Sequence, residues 1–308
     1  MKQHSTLNRT GLLHLSVIYI VWGSTYLAIR VAVREDAGFP PFTMVAMRTL
    51  VASALLLGWA KLQNSRIRLT RHEFKVLAIS GILLWTGGNG LVTWAEQRVD
   101  SGLTALILAS MPIWAAGLDS MLERRLPSRL LIFSLLCGFA GVAALSAPVL
   151  LDGTSGDLFS IFALLCAPMS WSFGSVYMQR QQLTIKPRVA SGFQQLFGGI
   201  AFVVLMLIFK EPKPTPITEA WFAWGYLLVF GSLIAFTSYI KALHLLPINI
   251  TMTYSYVNPV IAVVLGWLIL REAITVWTFI GAVLVIAGVL GVFHERFRNI
   301  KKLSTPTP

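Results

Sequence analysis

Residues 12–30 read LLHLSVIYIVWGSTYLAIR, nineteen positions with no formal charge until Arg30. At about 1.5 Å per residue a helix over this stretch is about 28 Å long, close to the roughly 30 Å of a bilayer's hydrocarbon core. Lys2 and Arg9 precede it as the basic flank of a secretory signal would. The run is nineteen residues long, meets Arg30 and lacks an A-x-A-like cleavage site, so it reads as a retained first helix.

The same kind of stretch recurs outward along the chain, at 42–62, 74–95, 101–121, 129–148, 157–178, 189–209, 220–242, 248–270 and 275–293. The longer gaps carry helix breakers: Gly38, Pro40 and Pro41; Asp152, Gly153 and Gly156; Pro212, Pro214 and Pro216. Hydrophobic residues make up 56% of the 308 positions, charged ones 12%, and mean hydropathy is +0.70. A soluble domain has about a quarter of its residues charged. The expectation is an all-α integral membrane fold of ten transmembrane helices, followed by a cytoplasmic tail, 294–308, whose Ser/Thr/Pro end is too polar to pack.

A net charge of +12 would suggest a nucleic-acid partner for a soluble chain. Its distribution gives another reading. With the N-terminus inside, the outer segments hold Arg30, Arg34, Arg98, Lys210, Lys213 and Arg271, Arg48 lies within the second helix, and the other 18 of the 25 basic residues fall on inner segments. The positive-inside rule then places both termini in the cytoplasm and requires no nucleic acid.

Chemistry-bearing clusters are sparse. Cys137 and Cys166 lie within helices with no CxxC and no histidine at ligand spacing. His4, His14, His72, His244 and His294 fall in tails or near helix ends. No GxxxxGK[ST] loop or H-E-x-x-H motif occurs, and no intramembrane histidine can activate a serine. Neither a metal nor a cofactor is expected, and an embedded enzyme becomes a remote alternative.

An aromatic-Gly-Ser-x-Tyr word, Trp22-Gly23-Ser24-Thr25-Tyr26, returns 151 residues later as Phe173-Gly174-Ser175-Val176-Tyr177. Met111-Pro112-Ile113 matches Asn258-Pro259-Val260 and Gly141-Val142 matches Gly288-Val289, both at a spacing of 147. The chain thus reads as two five-helix repeats, 12–148 and 157–293. An odd helix number makes the second repeat enter from the opposite side, so the repeats are inverted. Inverted repeats in transporters place the substrate near the midplane between them. A receptor or a purely structural membrane protein has no evident use for inverted halves.

Those words, together with Ile29-Arg30, Arg48, Gly88-Asn89-Gly90 through Ala95-Glu96, Ser170-Trp171, Phe230-Gly231-Ser232 and Ser255-Tyr256-Val257, resemble the drug/metabolite transporter superfamily of EamA type, particularly its YedA-like exporters. The likeness covers nearly the whole chain. It implies two EamA repeats, a cytoplasmic N-terminus and export of small metabolites through a cavity built by helices 3, 4, 8 and 9 with 1 and 6. Substrate identity does not carry over.

Several side chains are candidates for the substrate path. Arg48 is the most costly, since a charge near a helix centre disfavours insertion by about 2.5 to 3.5 kcal/mol. With Arg30 and Glu96 it occupies the outer third, either as an ion pair pinning helices 1 to 3 or as a substrate contact. Asn89, flanked by glycines, and Thr93 one turn on serve cavity lining or close packing. Pro112 and Pro259 each free a backbone carbonyl, and Thr253, Tyr256 and Asn258 lie near the latter. Trp22, Tyr26, Trp171 and Tyr177 form an aromatic wall, while Gln194 is glue or solute contact. Glu96 and Asp119 are the acids close enough to couple protons.

The leading expectation is therefore a secondary transporter exporting small organic metabolites, amino acids or drugs among them, by alternating access. Its partners are a small-molecule substrate and the lipid bilayer. An importer of sugars or nucleotide sugars is the alternative within transport.

Overall fold

The computed structural model describes residues 8–33, 38–99, 101–151, 158–181, 183–265, 267–268 and 274–304; the side chains of Tyr26 and Arg30, both path candidates, lie outside the described part. Ten helices among the described residues are long and apolar enough to cross a membrane: α1 (Arg9–Val33), α2 (Pro41–Leu62), α3 (Arg71–Ala95), α4 (Leu103–Glu123), α5 (Arg129–Ala147), α6 (Leu158–Arg180), α7 (Pro187–Ile208), α8 (Thr218–Leu245), α9 (Ile248–Leu265) and α10 (Val276–Arg298). Ten crossings bring both chain ends to one face, here the terminal face; the opposite one is the far face.

The last helix departs most from expectation. Residues 294–304, expected to belong to a polar tail, continue α10 as helix to Ser304. Just past the apolar run, Glu295 is buried and accepts a hydrogen bond from Ser128 Oγ (3.2 Å) at the start of α5, which docks the polar extension on the bundle. Residues 305–308 lie outside the described part.

The two halves pack by a rule that maps onto itself when they are exchanged. α5 lies along its counterpart α10 and α2 along α7; the pairing of α3 with α6 returns as α8 with α1, and that of α4 with α6 as α9 with α1. Counterparts run antiparallel, because Gly138 meets Gly288 while Leu145 meets Gly281, and Leu57 meets Gly192 while Leu50 meets Gly199. The pseudo-two-fold axis therefore lies in the bilayer plane. Close approach needs glycine at the α5–α10 crossing: a Cβ on Gly288 would stand 2.5 Å from the Gly138 nitrogen.

Local sequence explains the helix starts. Pro41 and Pro187 open α2 and α7 at first-turn positions, where proline's missing N–H costs nothing. Thr70 and Glu73 form a capping box at α3, with Glu73 N donating to Thr70 Oγ1 (3.1 Å) and Thr70 N to Glu73 Oε2 (2.9 Å). Gly38, at φ 103°, turns the α1–α2 connection in a conformation that favours glycine, and its carbonyl accepts from Thr215 N (2.8 Å) in the α7–α8 loop.

Two helices are widened at matching places. α3 is a π-helix over Ile82–Gly90 and α8 over Leu227–Ala235, nine residues each. Such widening leaves carbonyls for outside donors. Ser170 Oγ donates to Leu83 O (2.8 Å), Trp22 Nε1 to Gly231 O (3.4 Å) and Gln195 Nε2 to Ser232 O (3.3 Å). Each π segment is thus tied to the first helix of the other half. α4 and α9 are interrupted too, at Ala109–Ser110 ahead of Pro112 and at Met252–Thr253.

Candidate functional site

Between the halves lies a cavity of ≈ 630 Å³, counting the space at its mouth. Its walls come from α1 (Trp22, Thr25, Ile29), α2 (Arg48), α3 (Trp85, Gly88, Asn89, Val92), α4 (Leu108, Met111), α6 (Trp171), α8 (Gly231) and α9 (Tyr254, Asn258). Ile29, Val92 and Leu108 belong to the far-face ends of their helices, so the cavity occupies the far-face side of the midplane. A wider depression of ≈ 1280 Å³, lined by Phe39, Pro41, Trp94, Gln97 and Glu211 among others, marks that face.

Aromatic rings form the cavity's floor toward the terminal face. Trp22 packs on Trp171 (centroids 5.6 Å apart), Tyr239 (5.1 Å) and Tyr254 (5.0 Å). Tyr239 is fully buried; it receives Trp171 Nε1–H (2.9 Å) and shares a hydrogen bond with Ser175 Oγ. Below the rings, Tyr19 OH meets Thr253 Oγ1 (2.6 Å), His14 Nδ1 meets Ser238 Oγ (3.0 Å), and Gln179 Nε2 donates to the carbonyls of Leu243 and Leu246 (2.8 Å each). The terminal side is closed by packed and hydrogen-bonded side chains.

Arg48 is 3% exposed, about 10 Å along α2 from its first residue. Its Nη2 donates to Asn89 Oδ1 (2.7 Å), its Cζ lies 5.3 Å from the centroid of the Trp85 ring, and its Nε has no hydrogen-bond partner. Among the described residues no carboxylate lies within 4 Å of it; the ion pairs are Arg66–Glu73, Arg180–Asp119 and Arg180–Glu123. Of the ion pair that could pin helices 1 to 3, Arg48 takes no part with Glu96, while the Arg30 side chain lies outside the described part. Glu96 closes α3 at its far-face end, and the guanidinium turns instead toward Asn89 and the cavity.

The structure brings together Trp22, Arg48, Asn89, Trp171 and Asn258. Asn258 lies between the Tyr19 and Tyr254 carbonyls, to which its amide nitrogen can donate (3.2 and 3.0 Å). Other candidates stand elsewhere. Tyr256, expected in the lining, turns to α5, where its hydroxyl donates to Leu135 O (2.8 Å) and its ring covers Gly138. Spacing along the chain measures depth alone; each residue on a helix turns a side chain by about 100°, so Tyr254 and Tyr256, two positions apart, point about 200° apart. Thr93 bonds back to Asn89 O (2.8 Å), and Thr253 serves the closed side. Gln194 joins three helices through Ser80 Oγ (2.7 Å) and Met178 Sδ (2.9 Å). Pro112 and Pro259 are buried without lining the cavity, as Tyr177 also does not. Asp119 is paired with Arg180 (2.6 Å) at the terminal-face ends of α4 and α6.

Sequence reasoning misses Trp85 and Tyr239. Trp85 is legible as the residue one turn before Asn89, hence on its face. Nothing around Tyr239 in the sequence marks it. No group of three potential metal-ligating side chains occurs among the described residues.

A chamber walled by two opposed bundles and buried at bilayer depth belongs to a membrane transporter. The chain belongs to the EamA-like transporter family, whose model matches residues 9–147 and again 158–294. It is similar to the uncharacterized inner membrane transporter YedA of Escherichia coli K12, 33% identical over 254 residues that cover 82% of this chain and 80% of that protein. It is also similar to the uncharacterized transporter YoaV of Bacillus subtilis 168, 24% identical over 276 residues, 88% and 92% of the respective chains. A solved crystal structure of a protein 18% identical in sequence superposes with a TM-score of 0.75 over 96% of this chain and 99% of its own, a likeness of fold.

Proposed function

We propose that this protein is a secondary transporter that exports small organic metabolites, a class that includes amino acids and drugs, across a cell's inner membrane by alternating access. The carrying observation is the asymmetric closure of a symmetric molecule: a cavity on the far-face side stands above a sealed terminal side, in two halves built alike and inverted. If the halves exchange conformations, the seal moves to the far face and the cavity to the terminal face. The substrate then crosses without any continuous pore. The distribution of basic residues supports cytoplasmic termini, which makes the far face the outer one and this conformation outward-facing. The name of YedA supports the inner membrane as the location.

Purified protein in liposomes, preloaded with amino acids, amines or aromatic acids, tests the reading by counterflow with and without a pH gradient. Saturable counterflow of a solute is expected. Folded protein that exchanges none of them sinks the transport reading, and accumulation of sugars alone replaces it with the import alternative.

A further inference from the structure

We propose that the far-face cavity selects an organic monoanion, a solute with one carboxylate-sized anionic group on a flat apolar body and no ammonium group, and that Arg48 recognises that group. The inference deepens the transport reading and rests on it for the cavity's use.

Arg48 places a permanent positive charge in a wall whose other described lining residues are neutral. A guanidinium has five N–H donors in a rigid fork suited to carboxylates. Here one is taken by Asn89 Oδ1, the Trp85 ring meets the cation, and the Nε–H is left without a partner although the side chain is 97% buried. Burying a charge without an opposite one is costly, and buried charges are ordinarily paired. A bound carboxylate removes that cost and accepts the Arg48 donors through two oxygens. The Asn89 amide nitrogen, on the group that already holds the guanidinium, is a further donor next to it.

The rest of the lining describes the remainder of the solute. Trp22, Trp85, Trp171 and Tyr254 present rings, and Ile29, Val92, Leu108 and Met111 are aliphatic. A flat apolar body suits such walls. No Asp or Glu is among the described lining residues, so an ammonium would meet Arg48 without a compensating carboxylate there. The cavity thus discriminates by charge: anion first, neutral isostere next, zwitterion and amine last.

Four probes of one shape separate these cases: 3-phenylpropionate, 3-phenylpropionamide, phenylalanine and phenethylamine, titrated against the purified full-length protein by its tryptophan fluorescence. Phenylpropionate is expected to bind about tenfold or more tightly than its amide, the margin of a charge-assisted bidentate pair. Arg48→Gln is expected to erase that margin while amide binding persists. Asn89→Asp supplies a built-in carboxylate at nearly unchanged volume; it is expected to fold as well as the parent, because it neutralises Arg48, and to lose the anion preference. That variant decides the matter if Arg48→Gln does not fold. Tighter binding of phenylalanine or phenethylamine, or an anion preference that survives in Asn89→Asp, overturns the proposal. Counterflow of zwitterions or amines alone leaves the transporter standing and removes this site. Arg48-dependent anion binding without counterflow of any solute does the reverse.

Discussion

Arg48 and Gln194 hold the same place in the two halves, yet they do opposite work. Each lies seven residues past the proline that opens its helix, Pro41 or Pro187, and each is buried. Arg48 approaches the bundle from the far face, ends at a cavity and keeps a donor without a partner. Gln194 approaches from the terminal face and ends in packed protein, where its amide nitrogen binds Ser80 and Met178 while its Oε1 has no hydrogen-bond partner. The backbone symmetry makes the two positions equivalent; side-chain chemistry makes one of them charged. The two π segments differ in the same sense. Gly88 in α3 lets Trp171 approach so that a Cβ would stand 2.6 Å from its ring, whereas Gly231 in α8 has only Thr25 Cγ2 at 3.5 Å and a Leu227 methyl at 3.9 Å.

Making the halves alike is the strongest way to break the comparison. Gln194→Arg places a second buried cation where no cavity exists, and it is expected to cost roughly 3 kcal/mol. A thermal-unfolding scan in detergent should register a fall of many degrees, or the variant should fail to accumulate in membranes; a melting temperature equal to the parent's would mean that the terminal side is looser than described.

Gly88→Ala against Gly231→Ala separates the two π segments. The first is expected to destabilise by about 1 to 3 kcal/mol through overpacking against Trp171 and to slow counterflow, the second to be near neutral. Equal effects, measured by the same unfolding scan and transport assay, would abolish the distinction between a tight and a loose hinge.

The smallest effect concerns the straps over the ends of the paired helices α2 and α7. At the far face the Glu211 carboxylate accepts from Phe42 N (3.0 Å), Thr43 N (2.7 Å) and Thr43 Oγ1 (2.7 Å), capping α2 from the other half of the molecule. At the terminal face α7 has no side-chain cap, only exposed contacts such as Arg188 to Gln63 (2.8 Å). Glu211→Gln is expected to cost about 1 kcal/mol, the worth of a charged cap at a helix N-terminus, and Gln63→Ala close to nothing. Proteolysis of the far-face loops in the two variants checks the order.

Much of this molecule can be read along the chain. Each apolar stretch is long enough to cross the lipid only as a helix, because unpaired backbone groups are not tolerated there. The repeated words at Trp22 and Phe173 mark the two halves, and the odd helix count inverts them. Arg48, Asn89, Trp22, Trp171 and Asn258 stand out because polar or large aromatic side chains at bilayer depth need a reason. The pairing of Arg48 with Glu96 and the cavity role of Tyr256 are not met for a shared cause: depth along a helix is linear in sequence, while the direction a side chain faces depends on which neighbour the helix meets.

Hydropathy, length and charge distribution thus determined by themselves that the chain is a ten-helix membrane protein in two inverted halves, since those properties are summed locally against a uniform solvent. Which side of the cavity is sealed, that α3 and α8 widen at matched places, and that a lone guanidinium faces open space with Asn89 beside it were decided by packing between segments 41 to more than 200 residues apart. Distances of that kind are set by how helices meet, and no local count of residues contains them.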